Sequence, residues 1–226
     1  MISLGDPDKA AHALVFFKTG PGQYGEGDNF HGIRVPETRK MARRCRELSL
    51  KQLTSLLHSR FHEERLLALF VLVWQFSKGN DEHQQAIFEL YLDNTQYVNN
   101  WDLVDSSAHL IVGPWLQDRP RDLLHQLADS NSLWEKRIAM MSTYHFIRLL
   151  DFDDALLIAY TLKDDKHDLI HKVTGWMLRE IGNRNRAVEE EFLKAHYGTM
   201  PRTMLRYAIE KFPEELRLQY LKGTIL

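Results

Sequence analysis

From Val35 onward the apolar positions of the chain recur at spacings of three and four, as in "LKQLTSLLHSRFHEERLLALFVLVWQF". That is the period of helices with one buried face, and no alternating pattern persists long enough for a strand. Polar breaks fall at "SKGNDEH", "NTQYVNN", "QDRP", "LADSNS", "DFDD", "KDDKHD" and "HYGTMPRT". Several have the composition of helix caps and turns, and their spacing predicts roughly a dozen helices arranged in pairs. Glycine and proline punctuate the first 36 residues and are sparse afterwards. The expectation is an all-α chain forming one domain over residues 1–226. A helical segment and loop would occupy 1–36, and stacked helical repeats 37–226.

An internal repeat sharpens this picture. Arg65 in "EERLLALFVL", Arg137 in "EKRIAMMS", Lys172 in "HKVTGWML" and Arg206 in "LRYAIEKF" each open an apolar helix and are followed closely by a small residue. The gaps between them are 72, 35 and 34 residues, so the first spans about two periods. A two-helix unit of that length is the mark of an α-solenoid of HEAT-like or armadillo-like repeats. Such stacks curve, and their second helices line a concave groove. Singly, each basic residue reads as a solvated surface charge. In register, the four predict a stripe along the groove suited to a phosphate backbone, which makes nucleic acid the leading partner.

Composition adjusts the reading only slightly. The chain has 29 Lys and Arg against 31 Asp and Glu, a formal net charge of −2. That argues against indiscriminate polyanion binding, although a balanced total is compatible with one basic face. No apolar run approaches bilayer length, and the start "MISLGDPDKAAHALVFF" lacks a basic region followed by a small-residue cleavage site. A cytoplasmic location with no membrane partner is expected. The single cysteine, Cys45 in "TRKMARRCREL", allows no disulfide within the chain and reads as a structural residue.

The basic series is interrupted at "NNWDLVDSSA". Asp105 stands three residues before Ala108, as Arg65 stands three before Ala68, so a carboxylate replaces a cation within the stripe. One reading is capping, with Asp102 as N-cap and Asp105 in the first turn of a helix "LVDSSAHLIVGPWL". The other is chemical. A carboxylate repels phosphates unless a positive charge develops beside it. An N3- or N7-alkylated purine carries such a charge and leaves easily, so the sugar acquires oxocarbenium character. A carboxylate stabilises that cation and positions a water. Indoles add cation–π attraction of roughly 0.5–2 kcal/mol each.

The residues also carry a family resemblance. "NNWDLVDSSA" resembles the W-D-x-V-D motif of the AlkD family of DNA glycosylases, which are HEAT-like repeat proteins. "NFHGIRVPETRK", "LWEKRIAMM", "HKVTGWMLREIG" and "LRYAIEKF" are similar to further segments of that family, so the resemblance spans most of the chain. It implies that Asp105 is the catalytic carboxylate facing the deoxyribose, and that Trp101 and Trp176 frame the damaged nucleotide. It also implies that Arg137 grips the backbone near the lesion and that Lys172, Arg179 and Arg206 bind phosphates. The implied activity is hydrolytic release of N3- and N7-alkylpurines from duplex DNA, without a base-flipping pocket, metal or cofactor; a monomer is expected.

Other signals weigh less. "GPGQYG" matches G-x-G-x-x-G but lacks a preceding strand, so it reads as a loop near the groove mouth from which Tyr24 reaches DNA. His58 and His62 are four apart, as on one helix face, and read as a surface pair with no third metal ligand. Trp74 and Trp115 lie in apolar runs and read as core; Arg184 and Arg186 read as solvated. Two rival functions remain at this level: a non-catalytic binder of branched or distorted DNA, and a protein-interaction scaffold.

Overall fold

In the computed structural model, residues 4–225 are described, so the first three residues of the leading stretch and the last residue of the chain lie outside the description. Among the described residues the protein is all-α, with no strand and a single isolated bridge between Asn29 and Phe61. The chain divides into two compact units, Met1–Ser107 and Ala108–Leu226.

The first unit holds α1 (Pro7–Phe16), α2 (Val35–Arg44), α3 (Leu50–Leu57), α4 (His62–Lys78), α5 (Asp81–Asp93) and the short α6 (Trp101–Asp105). Local chemistry sets their starts. Asp6 caps α1 by accepting from the amides of Asp8 and Lys9, with Pro7 at the first helical position. Ser49 and Gln52 form a reciprocal capping box on α3, and Asn80 caps α5. The core is built around α4, whose Leu66, Leu67, Ala68, Leu69, Val71 and Leu72 are all buried against its neighbours. Helix α1 has no buried residue. It is pinned at its start, where the Asp6 amide donates to the His31 carbonyl at 2.8 Å. Gly32 sits under it with φ 80°, and a Cβ there would run into the Asp6 carbonyl and the Ala10 nitrogen, so only glycine allows this approach.

The second unit contains α7 (Ala108–Trp115), α8 (Asp122–Ala128), α9 (Leu133–Arg148), α10 (Asp153–Leu162), α11 (Asp168–Gly182), α12 (Arg186–His196), α13 (Arg202–Ala208) and α14 (Glu214–Lys222). Here the repeat is explicit. Helices α7, α9, α11 and α13 pack in succession, and α8 and α10 lie against α9 and each other. Glycines stand at two of the closest crossings. A Cβ on Gly113 of α7 would lie 2.5 Å from the Cβ of His145 on α9, and one on Gly175 of α11 would meet the Met204 carbonyl and lie 2.6 Å from the Cβ of Tyr207 on α13. Arg137, Lys172 and Arg206 are each the fifth residue of their helices, α9, α11 and α13, so the period read from the chain is a structural period in this unit.

Candidate catalytic cluster and nucleic-acid interface

Helix α6 begins because Asn100, extended at φ −150° and ψ 158°, turns its side-chain oxygen onto the Trp101 amide at 2.9 Å. Asn100 is therefore the N-cap, not Asp102. The helix also ends early. Ser106 and Ser107 form a turn before α7, so "LVDSSAHLIVGPWL" is two short helices rather than one. Asp105 is the last residue of α6, where the aligned peptide dipoles disfavour a carboxylate instead of supporting it. First-turn capping of the helix that follows Trp101 thus does not explain Asp105. Trp101 and Asp105 stand one turn apart on α6, both half-buried. Asp105 adds its charge to the environment of Tyr91, whose phenol burial already pushes above its usual range.

Asp102 has a different task. Its Oδ2 accepts from Nε2 of His62 at 2.8 Å, while Nδ1 of the same ring faces Oδ2 of Asp28 at 3.0 Å. His62 is 2% exposed. With a carboxylate at each nitrogen, the ring satisfies both only as a doubly protonated imidazolium. Burial pulls its pKa down, but the charges and hydrogen bonds of Asp102 and Asp28 outweigh that and raise it to about 9. Burial would raise the Asp28 carboxyl, yet His62 and Arg65 hold it below its ordinary value. Arg65 completes the cluster, donating to Asp28 at 2.5 Å and to the Ser59 carbonyl at 3.0 Å.

Two expectations are corrected here. Arg65 is only 3% exposed and ion-paired inside the first unit, so it is a structural cation and not a phosphate contact. His58 and His62 share no helix face: His58 caps the end of α3 and bonds Asn94, while His62 opens α4. The signal for the buried cluster was faint, since Asp28, His62 and Asp102 are separated by 34 and 40 residues.

Aromatic rings surround the cluster. Phe17 stacks on Trp101 with centroids 5.5 Å apart, and Phe16 meets Trp101 edge-on at 5.9 Å. Phe17 and Phe30 stack on each other at 5.1 Å and pack on His62 at 4.7 and 4.8 Å. Trp101 thus stands on a rigid aromatic base. Tyr24 is half-buried in a loop that turns through positive φ at Gly22 and Gly27, and this "GPGQYG" loop follows helix α1 rather than a strand.

In the second unit, Trp176 is half-buried on α11; its Nε1 donates to Glu180 at 3.2 Å and its ring lies 6.5 Å from Tyr144. Arg184 sits 5.6 Å over Tyr144 and bonds Glu180, so it is engaged rather than merely solvated. Arg186 likewise lies 3.5 Å over the Phe212 ring and pairs with Glu190. The three in-register cations differ in their surroundings. Arg137 is 4% exposed and donates to the Leu169 carbonyl at 2.8 Å; Lys172 is partly exposed and pairs with Asp168; Arg206 is exposed. Arg179, beside Trp176 on the same helix, pairs with Glu210. The register is real, but the four series members do not form one uniformly exposed stripe. Trp115 is buried as expected, whereas Trp74 is half-buried beneath Arg46 at 4.6 Å.

Sequence reasoning passed over α2. Its "TRKMARR" run carries Arg39, Lys40, Arg43 and Arg44, all exposed, with Arg34 at its N-cap and Glu37 as its one acid. The signal was the charge run itself, weighed only for its cysteine.

The fold agrees with the comparisons to known proteins. The chain belongs to the DNA alkylation repair enzyme family, whose model matches residues 1–212. The structure is similar to a solved protein titled "Predicted DNA alkylation repair enzyme from Enterococcus faecalis", with a TM-score of 0.70 at 16% sequence identity, over 93% of this chain and 97% of that one. No curated protein matches the chain. Among the described residues no helix is long and apolar enough to cross a membrane.

Proposed function

We propose that the protein is a DNA glycosylase that hydrolyses the N-glycosidic bond of cationic N3- and N7-alkylated purines in duplex DNA and leaves an abasic site. The observation that carries this reading is Asp105. It is a half-buried carboxylate at the unfavourable end of α6, one turn from a tryptophan braced by Phe16 and Phe17, in a chain of the alkylation-repair family. A half-buried carboxylate one turn from a braced indole is the group that a developing sugar cation would meet.

The purine is already positive, so it departs with the electron pair of the C1′–N bond as a neutral base and needs no general acid. The sugar becomes oxocarbenium-like, Asp105 stabilises that charge, and a water adds to C1′ and loses its proton. Trp101 shields and polarises the lesion nucleotide, and the resemblance assigns Trp176 the second indole. Lys172, Arg179 and Arg206 hold the backbone in this reading, joined by the exposed cations of α2, while Arg137, as buried as Arg65, is a structural cation. No metal or cofactor is called upon.

The test is base release from duplex DNA carrying N7-methylguanine. Wild type releases the base, and Asp105→Asn slows release by about a hundredfold or more, the usual scale for deleting one electrostatic group aimed at a transition state. Equal release by both proteins removes Asp105 from the chemistry. No release by either, with salt-sensitive DNA binding intact, leaves a binder of DNA structures.

A further inference from the structure

The second unit holds a buried acid that the proposed chemistry does not use. Glu189 lies on α12 with 2% of its surface exposed, and its Oε1 is buried without a hydrogen-bond partner. The helix opposite makes room for it. A Cβ on Gly182 of α11 would run into the Glu189 carboxyl group, so the glycine is what lets the acid reach in. Two cations stand near, and both are committed elsewhere. Arg179, one turn before Gly182 on α11, pairs with Glu210 of the short turn Ile209–Lys211. Arg186, one turn before Glu189 on α12, bonds Glu190 at 2.8 Å and lies over the Phe212 ring. From α14 comes Tyr220, 1% exposed, whose hydroxyl is a second buried oxygen without a partner. Burial, with Glu190 and Glu189 adding to it, holds that phenol above its ordinary range.

A buried carboxylate whose nearby cations are taken is costly, so the proton stays on. The first turn of α12 favours a negative charge, but burial opposes it more strongly. Burial raises the Glu189 carboxyl from its ordinary 4.5 to about 8; Arg186 and Arg179 pull against that and Glu190 adds to it. Of the two cations, Arg179 is the one able to move. Its partner Glu210 is half-exposed, whereas Arg186 is held by both Glu190 and the Phe212 ring. We propose that Glu189 is a proton-operated switch for Arg179. Uncharged, it packs against α11 and leaves Arg179 to exchange Glu210 for a DNA phosphate. Once ionised, it competes for Arg179 and takes it out of the phosphate-binding set. The same charge loosens the seat that α11, α12 and Tyr220 form around it. The consequence for DNA rests on the DNA-binding reading above; the ionisation of Glu189 and its link to Arg179 do not.

Carbon NMR of protein labelled at the glutamate carboxyls follows the proton directly. In the wild type one glutamate resonance should titrate near pH 8, and it should be the one missing from Glu189→Gln. Its midpoint should rise further in Arg179→Met, which removes an opposing cation. A midpoint in the ordinary glutamate range, below roughly 5.5, overturns the proposal, and one that Arg179→Met leaves unmoved overturns the link to Arg179. Stability gives a second reading. The folded chain holds a proton that the unfolded chain releases above 4.5, so the stabilisation is full below 4.5 and is lost as pH rises through 8. In urea unfolding, the unfolding constant of wild type relative to Glu189→Gln should therefore rise about tenfold per pH unit between those values. A constant ratio counts against the switch. His62 loses its proton over an overlapping range, so each group is read against its own glutamine variant. Duplex-DNA affinity, again relative to Glu189→Gln, should fall about tenfold between about pH 7 and about pH 9, the scale of one charge-assisted contact. A ratio of affinities independent of pH overturns the control of Arg179. Absence of DNA binding at every pH defeats the DNA reading alone, and the midpoint and its shift still decide the switch.

Discussion

At the scale of single residues, His62 shows how little a histidine's spacing says about its role. It is a buried cation between two carboxylates, tying α4 to α6 and to the loop carrying Asp28, and so it anchors the turn that presents Trp101 and Asp105. Its folded-state pKa, about 9, lies above the ordinary 6.5. The folded protein therefore holds a proton that the unfolded chain releases between those values. The stabilisation is fully present below pH 6.5 and is lost as pH rises through 9. Thermal unfolding of wild type should show this decline, and His62→Gln should flatten it; a wild-type midpoint constant from about pH 6.5 to about 9.5 would refute the imidazolium. His62→Ala should cost about 3–5 kcal/mol, since it strands Asp28 and Asp102 as buried charges without their partner.

At the scale of elements, the second unit combines the buried apolar faces of α9 and α11 with close helix crossings. Gly175 of the "TGWML" segment has φ in the ordinary helical range, so its value is space and not conformational freedom: α13 lies where its Cβ would be. Gly175→Ala should force α11 and α13 apart and lower stability by about 1–3 kcal/mol in chemical denaturation. Unchanged stability would mean that the crossing relaxes freely. Because Trp176 follows Gly175 directly, this variant should also disturb the indole's setting, visible in its fluorescence.

At the scale of the whole molecule, a net charge of −2 has to be reconciled with DNA as partner. The reconciliation is local: α2 concentrates Arg39, Lys40, Arg43 and Arg44 on exposed positions with Glu37 as its one acid. Binding should therefore fall steeply with salt, and replacing Arg43 and Arg44 with glutamine should reduce the slope of log K against log salt by about 2, roughly one unit for each phosphate no longer neutralised. A slope unchanged by the pair would exclude α2 from the interface.

The helical class, the repeat period and the family were legible along the chain because each depends on local order: apolar spacing, cap residues, and motifs such as "NNWDLVD" and "HKVTGWMLRE" that lie within a few turns. The fifth-position register of Arg137, Lys172 and Arg206 was legible for the same reason. What each of those positions faces was not. Whether Arg65 meets solvent or Asp28, whether Asp102 caps its helix or clamps His62, and where α6 stops are decisions of the folded chain. The first two are settled by side chains 37 and 40 residues away in sequence, whose burial decides which charges must pair.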